Sequence, residues 1–228
     1  MKRRITFQII MMSILFLPSC KREESVNIDQ NRIYSSYDYT YDANVNMSSM
    51  TAMFRLDNSG GKKIELSYPS RVHFNGEGLA WKNAMGHYSL NRSGNLNGGS
   101  FSFVDTDSKE FENQVSGLNS VEIPFGVNSI SRSGNFFLPW VGAPLVSGET
   151  IKVTINGSGQ SGSKTWTITN PGTSHVILDQ FKLNGLVLGT ANIQIEREVS
   201  SYLTETGLAG GRISAQYKSR KIAINIMN

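Results

Sequence analysis

The chain has 228 residues, with 22 Lys+Arg against 18 Asp+Glu, a formal net charge of +4 and a single cysteine. That length holds one or two compact domains, and one thiol excludes an internal disulfide framework. The small charge excludes the strongly basic field by which a protein gathers nucleic acid.

The N-terminus is the most informative segment. Met1-Lys2-Arg3-Arg4 carries positive charge, Ile5 to Leu17 is apolar apart from Thr6, Gln8 and Ser13, and Leu17-Pro18-Ser19-Cys20 follows. Charge, a short apolar run and small residues make a secretory signal peptide over residues 1–19. The run is too short to span a bilayer, which needs roughly 20 helical residues. The ending resembles the lipobox of bacterial lipoproteins, which implies that Cys20 is acylated, palmitate being one such chain, and becomes the first residue of the mature protein. Loss of Lys2, Arg3 and Arg4 leaves 19 basic and 18 acidic side chains, so the mature chain is nearly neutral. Residues 20–31, Cys20 followed by a polar stretch, read as a flexible tether, since Lys21 to Asn31 offers little apolar area to bury. The Lys-plus-acid run after Cys20 resembles the surface-export signal of Bacteroides-group lipoproteins. The resemblance implies a lipid anchor in the outer membrane, with the body facing either the periplasm or the cell surface.

Beyond residue 31 the pattern is that of short strands. Ala52, Phe54 and Leu56 alternate with polar or flexible neighbours; so do Ile64 and Leu66, then Ile151, Val153 and Ile155, then Trp166 and Ile168. Period-two alternation places one set of side chains inward and the other in water. Clusters such as Asp57-Asn58-Ser59-Gly60-Gly61 and Asn156 to Ser163 separate the runs as hairpin loops. The best stretch for a helix, Arg197 to Thr206, supports a turn or two at most, weakened by Ser200, Ser201 and Thr204.

An internal repeat divides the chain. Val72 to Gly76 resembles Phe181 to Gly185, Tyr88 corresponds to Tyr202, Leu96 to Phe103 to Leu208 to Ala215, and Phe111 to Val115 to Ile222 to Ile226. Each copy has about seven strand signals at roughly 8- to 12-residue spacing, which predicts an all-β protein of two tandem immunoglobulin-like β-sandwiches. Residues 32–124 form the first and 125–228 the second, with the boundary near Ile123-Pro124. With the lipobox and the Asn-Gly and Gly-Gly repeats, this is similar to the tandem β-sandwich lipoproteins of the Bacteroides group.

Chemistry-bearing residues are not gathered. His73, His87 and His175 have no ligand partners at metal-site spacing. Gly157 to Gly162 matches Gly-x-Gly-x-x-Gly, but between antiparallel strands it has no helix N-terminus to receive phosphate. Asp105-Thr106-Asp107 runs into Ser108-Lys109 and reads as a turn. The expectation is therefore a non-enzymatic protein without metal or cofactor, without a nucleic-acid partner, and with the membrane engaged through lipid. Its further partner, protein or glycan, stays open. Adhesion, scaffolding or partner binding leads; an accessory carbohydrate-binding lipoprotein and a fimbria-like structural subunit are the alternatives. For the carbohydrate reading, Tyr37, Tyr39 and Tyr41 share one face of a strand and could stack on sugar rings. Trp81, Trp140 and Trp166 sit in strand patterns as core.

Overall fold

The computed structural model describes residues 23–157 and 162–228. Cys20, the signal segment and most of the Gly157 to Gly162 motif lie outside these. The N-terminal half holds β1 (Glu23–Glu24), β2 (Ile33–Asp42), β3 (Met47–Leu56), β4 (Lys63–Glu65), β5 (Arg71–Phe74), β6 (Glu77–Gly78), β7 (Ala80–Lys82), β8 (His87–Ser93), β9 (Gly98–Val104) and β10 (Glu110–Ser116). The C-terminal half holds β11 (Val121–Glu122), β12 (Ser129–Ser131), β13 (Phe136–Pro139), β14 (Val141–Gly142), β15 (Glu149–Gly157), β16 (Ser163–Ile168), β17 (His175–Leu178), the one-turn helix α1 (Gln180–Leu183), β18 (Gly189–Tyr202), β19 (Gly211–Lys218) and β20 (Ile222–Met227). The chain is all-β, as the alternation predicts.

Two layers face each other in both halves. One layer is a large sheet shared by the whole chain, in the order β1-β4-β3-β2-β19-β18-β15-β16, with β7-β8 added on β3 and β12-β20 on β18. Over the N-terminal half lies the sheet β10-β9-β5-β6; over the C-terminal half lie the pairs β11-β14 and β13-β17. The N-terminal core is aromatic: Tyr37 stacks on Phe101 at 4.9 Å, and Phe54 meets Phe103 at 4.6 Å. The C-terminal core is aliphatic, with Ile151, Val153 and Ile155 of β15 beside Ile193 and Ile195 of β18 and below Val176 and Leu178 of β17. Each such side chain contributes about 1.5–3 kcal/mol when fully buried, which holds the body together without a crosslink.

The halves are joined edge to edge. β2 and β19 pair in parallel over eight residues, from Ser35 opposite Gly211 to Asp42 opposite Lys218. Gly211 is required at the start of this ladder, because a Cβ there would stand 2.4 Å from the Ser35 carbonyl oxygen. Beside this ladder Tyr217 donates to Glu122 Oε1 at 2.8 Å, and across it the Tyr217 ring lies 5.3 Å from that of Tyr41. β18 serves two partners in turn: Gly189 to Ile193 pair with β20 and Glu196 to Tyr202 with β19. At the change of partner the Ser219 hydroxyl accepts the Ile195 N–H at 3.1 Å, and Gln194 Nε2 donates to the Ser219 carbonyl at 2.8 Å.

Several expectations are corrected. Within the expected tether, residues 23–31 are built into the body. Glu23 and Glu24 pair with Ile64 and Glu65, buried Ser25 accepts the Ser67 N–H at 2.8 Å, and Ile28 packs on the core. Gln30 Nε2 donates to the carbonyls of Ser25 and Ile28. Arg197 to Tyr202 is strand, because its alternation is completed by β15 and β19 on either side. The helical turn falls instead at Gln180–Leu183, capped by Asp179, whose carboxylate accepts the Lys182 N–H. The matched segments Leu96 to Phe103 and Leu208 to Ala215 each lead into a strand, whereas Val72 to Phe74 is strand and Phe181 to Leu183 helical. Tyr88 is buried and its counterpart Tyr202 is exposed. β11, just before residue 124, pairs with β14 in the C-terminal half.

Candidate functional site

The outward face of the large sheet is an extended polar surface that runs across both halves of the chain. Its composition follows from alternation: where Tyr37 and Tyr39 point inward, Ser36, Asp38 and Thr40 point outward. The registers set these positions side by side. One row reads Asn91, Ser49, Thr40, Gln216, Glu198, Thr150 across β8, β3, β2, β19, β18 and β15. At about 4.8 Å per strand the row extends about 24 Å. The next reads Ser89, Thr51, Asp38, Ser214, Ser200. A third alternates in charge, Asp42, Lys218, Glu196, Lys152.

The charges of this face are largely satisfied within it. Lys152 pairs with Glu198 at 2.7 Å, Gln216 Nε2 donates to Glu196 at 2.9 Å, and Arg212 lies 3.9 Å from Asp38. Ser214 donates its hydroxyl to the same Asp38 carboxylate. Opposite charges set side by side on one face support the sheet and leave little net field. What remains for a ligand is a lattice of hydroxyls, amides and fixed carboxylates.

Two depressions interrupt the face. One, of about 360 Å³, lies over the junction and is lined by Asp38, Thr40, Thr150, Glu198, Arg212 and Gln216 among others. The second, of about 460 Å³, lies over the N-terminal half and includes Ser49, Thr51, Lys82, Met85, His87 and Asn91. Partial burial, with Lys63 and Lys82 nearby, holds the His87 imidazole below its usual value.

The tyrosine row does not form a stacking platform. Tyr37 and Tyr39 are buried, on Phe101 and Phe74, and burial pushes the Tyr37 phenol well above its ordinary value. Tyr41 is half-buried and donates to Asn46 at 2.9 Å. The row shares one face as predicted, but a second sheet covers that face. Trp140 and Trp166 are core, and Trp81 packs partly buried against it. Asp105 forms a turn, its Oδ1 accepting the N–H groups of Asp107 and Lys109 at 2.9 Å each. Among the described residues no three His, Cys, Asp or Glu side chains are grouped to hold a metal, and no helix is long and apolar enough to cross a membrane. The alternation of β2 and β19 signals the polar face within each strand; nothing local signals that the two strands are neighbours.

No family model and no curated protein matches the chain. Among solved structures it is similar to the FN1–FN3 domains of chicken CNTN1, at 11% identity over 84% of this chain and 66% of that one, with a TM-score of 0.32. It is similar also to a tetra-tandem repeat from the extending region of a large adhesion protein, at 13% identity over 83% and 50%, with a TM-score of 0.25. A bacterial ice-binding adhesin matches at 12% identity over 88% and 67%, with a TM-score of 0.23. The chain thus spans about two thirds or half of these structures. At such scores the β-sandwich assignment rests on the sheets and registers above.

Proposed function

We propose that the chain is a non-enzymatic, lipid-anchored lipoprotein of the outer membrane that presents its β-sandwich body for adhesion or partner binding. The observation that carries this reading is the continuous outward face formed when β2 and β19 pair. A solvated lattice six strands wide, with two depressions, is a surface for contact. The lipobox-like Leu17 to Cys20 segment supplies the anchor in this reading. End loops are the usual contact regions of such architectures; here the sheet face is added to them.

The test is binding of the full chain, extracted from membranes, to arrays of glycans and of surface proteins. The comparison is the double variant Ser49→Arg, Ser200→Arg, which places two long cations on the outward face without touching the core. The reading predicts at least one partner retained by the wild type and lost by the variant. No partner on either array, or equal retention by the variant, overturns it.

A further inference from the structure

We infer that the end of the large sheet where β2 and β19 begin rests on the lipid surface, with Leu208 and Tyr202 reaching into the headgroup layer. This rests on the lipid-anchored reading above and adds an orientation to it.

The first observation is where the chain joins the sheet. Glu23 pairs with Ile64 at the start of β4, and Lys62 Nζ reaches the Glu23 carboxylate at 3.1 Å. Only Lys21 and Arg22 separate Cys20 from Glu23 in sequence. Three residue steps span at most about 10 Å. An acylated Cys20 therefore holds this end of the body within that distance of the bilayer.

The second observation is independent of the first. The same end carries apolar side chains with no core to join. β4 follows β3 through a tight turn, with Leu56 N–H donating to the Lys62 carbonyl at 2.9 Å and Asp57 N–H to the Arg32 carbonyl at 2.7 Å. β2 starts there, opposite the end of β3. β19 runs parallel to β2, so the loop from β18 to β19 lies at that end too, tied by Ala209 N–H to the Asn31 carbonyl at 2.8 Å. On it Leu208 is 89% exposed, and Tyr202, the last residue of β18, is 88% exposed. An amphipathic Tyr and an aliphatic tip suit the boundary between headgroups and hydrocarbon. Arg32, Lys62 and Arg212 stand at this end in ion pairs with Asp57, Glu23 and Asp38, so the apolar side chains carry the contact. The opposite end, at Val45 in the β2–β3 turn, lies about 30 Å away along β2. The strands then rise from the membrane and the outward face is presented sideways.

The test uses the full chain, produced with its leader, extracted from membranes and reconstituted in phosphatidylethanolamine–phosphatidylglycerol vesicles. Leu208→Cys, Tyr202→Cys and Val45→Cys each add one thiol, which is the only free one when Cys20 is acylated. An environment-sensitive fluorophore on each is quenched with bromine-labelled lipids, and the mass of the Cys20 peptide is read on the same sample. The orientation predicts several-fold stronger quenching at 208 and 202 than at 45. Acyl mass on Cys20 with equal quenching at all three positions overturns the orientation alone. A Cys20 peptide without acyl mass overturns the anchored reading, and the orientation with it.

Discussion

Asn113 on β10 holds the backbone of Thr204 from the other half of the chain. Its Oδ1 accepts the N–H of Thr204 at 2.9 Å and that of Glu205 at 3.1 Å, while Nδ2 donates to the Glu205 carbonyl at 2.8 Å. Asn113 is buried, and the loop it grips leads from β18 into β19. One amide thus ties the second layer of the N-terminal half to the strand that joins the two halves.

Removing that amide leaves backbone groups without partners. Asn113→Ala is expected to cost about 1–3 kcal/mol in total. Asn113→Asp keeps the acceptor for both N–H groups but buries a carboxylate whose second oxygen faces the Glu205 carbonyl, so it should cost at least as much. Urea denaturation of the two variants checks the order; equal midpoints to wild type would contradict the clamp.

Arg197 is fully buried beneath β15, 3.4 Å from Glu149 Oε2, and its Nη2 donates to the Ala143 carbonyl. Burial pushes its guanidinium below the ordinary value, and Glu149 opposes that shift. Replacing one member of a buried pair strands the other. Arg197→Met is therefore expected to cost about 3–5 kcal/mol. Glu149→Gln in the same chain removes the stranded charge and keeps an acceptor for the Val146 N–H, so the double variant should regain more than half of the loss. Midpoints in urea read both effects; a double variant no better than the single one contradicts this account.

Asp179 gives the pH dependence a definite sign. The Lys182 N–H foremost, and the Trp166 indole N–H at 2.8 Å, hold its carboxyl below the ordinary value. A depressed folded-state pKa contributes stability that is present above the ordinary carboxylate range and is lost as pH falls through the lowered value. Asp179→Asn should be less stable than wild type at neutral pH, and the gap should close on acidification to about pH 2. Trp166 fluorescence during denaturation at several pH values measures the gap; a gap that does not change with pH contradicts it.

How much of this was legible depends on the range of the signal. Ile151, Val153 and Ile155 announce a strand because alternation is local, and β15 is that strand. The tyrosines of β2 announce a shared face but not its cover, which comes from Phe101 and Phe74 far along the chain. The polar composition from Glu23 to Asn31 reads as tether, yet the pairing of Glu23 and Glu24 with β4, the buried Ser25 hydroxyl, Ile28 and the Gln30 amide fix it. Helix α1 is one turn, too short for any period, and only its cap Asp179 is a signal. The pairing of Asp38 with Ser214 joins residues 176 apart, and no local pattern encodes it. The outward face was therefore readable strand by strand and not as a surface.

The central structural claim is that β2 and β19 fuse the two halves into one folding body. Equilibrium urea unfolding with half-specific tryptophans tests it most directly. Trp81→Phe leaves only Trp140 and Trp166, in the C-terminal half; Trp140→Phe with Trp166→Phe leaves only Trp81, in the N-terminal half. Each variant is followed by its own fluorescence and by circular dichroism. A fused sheet predicts that the two probes coincide within each variant, in a single transition. Two separated transitions, one for each half, would contradict it.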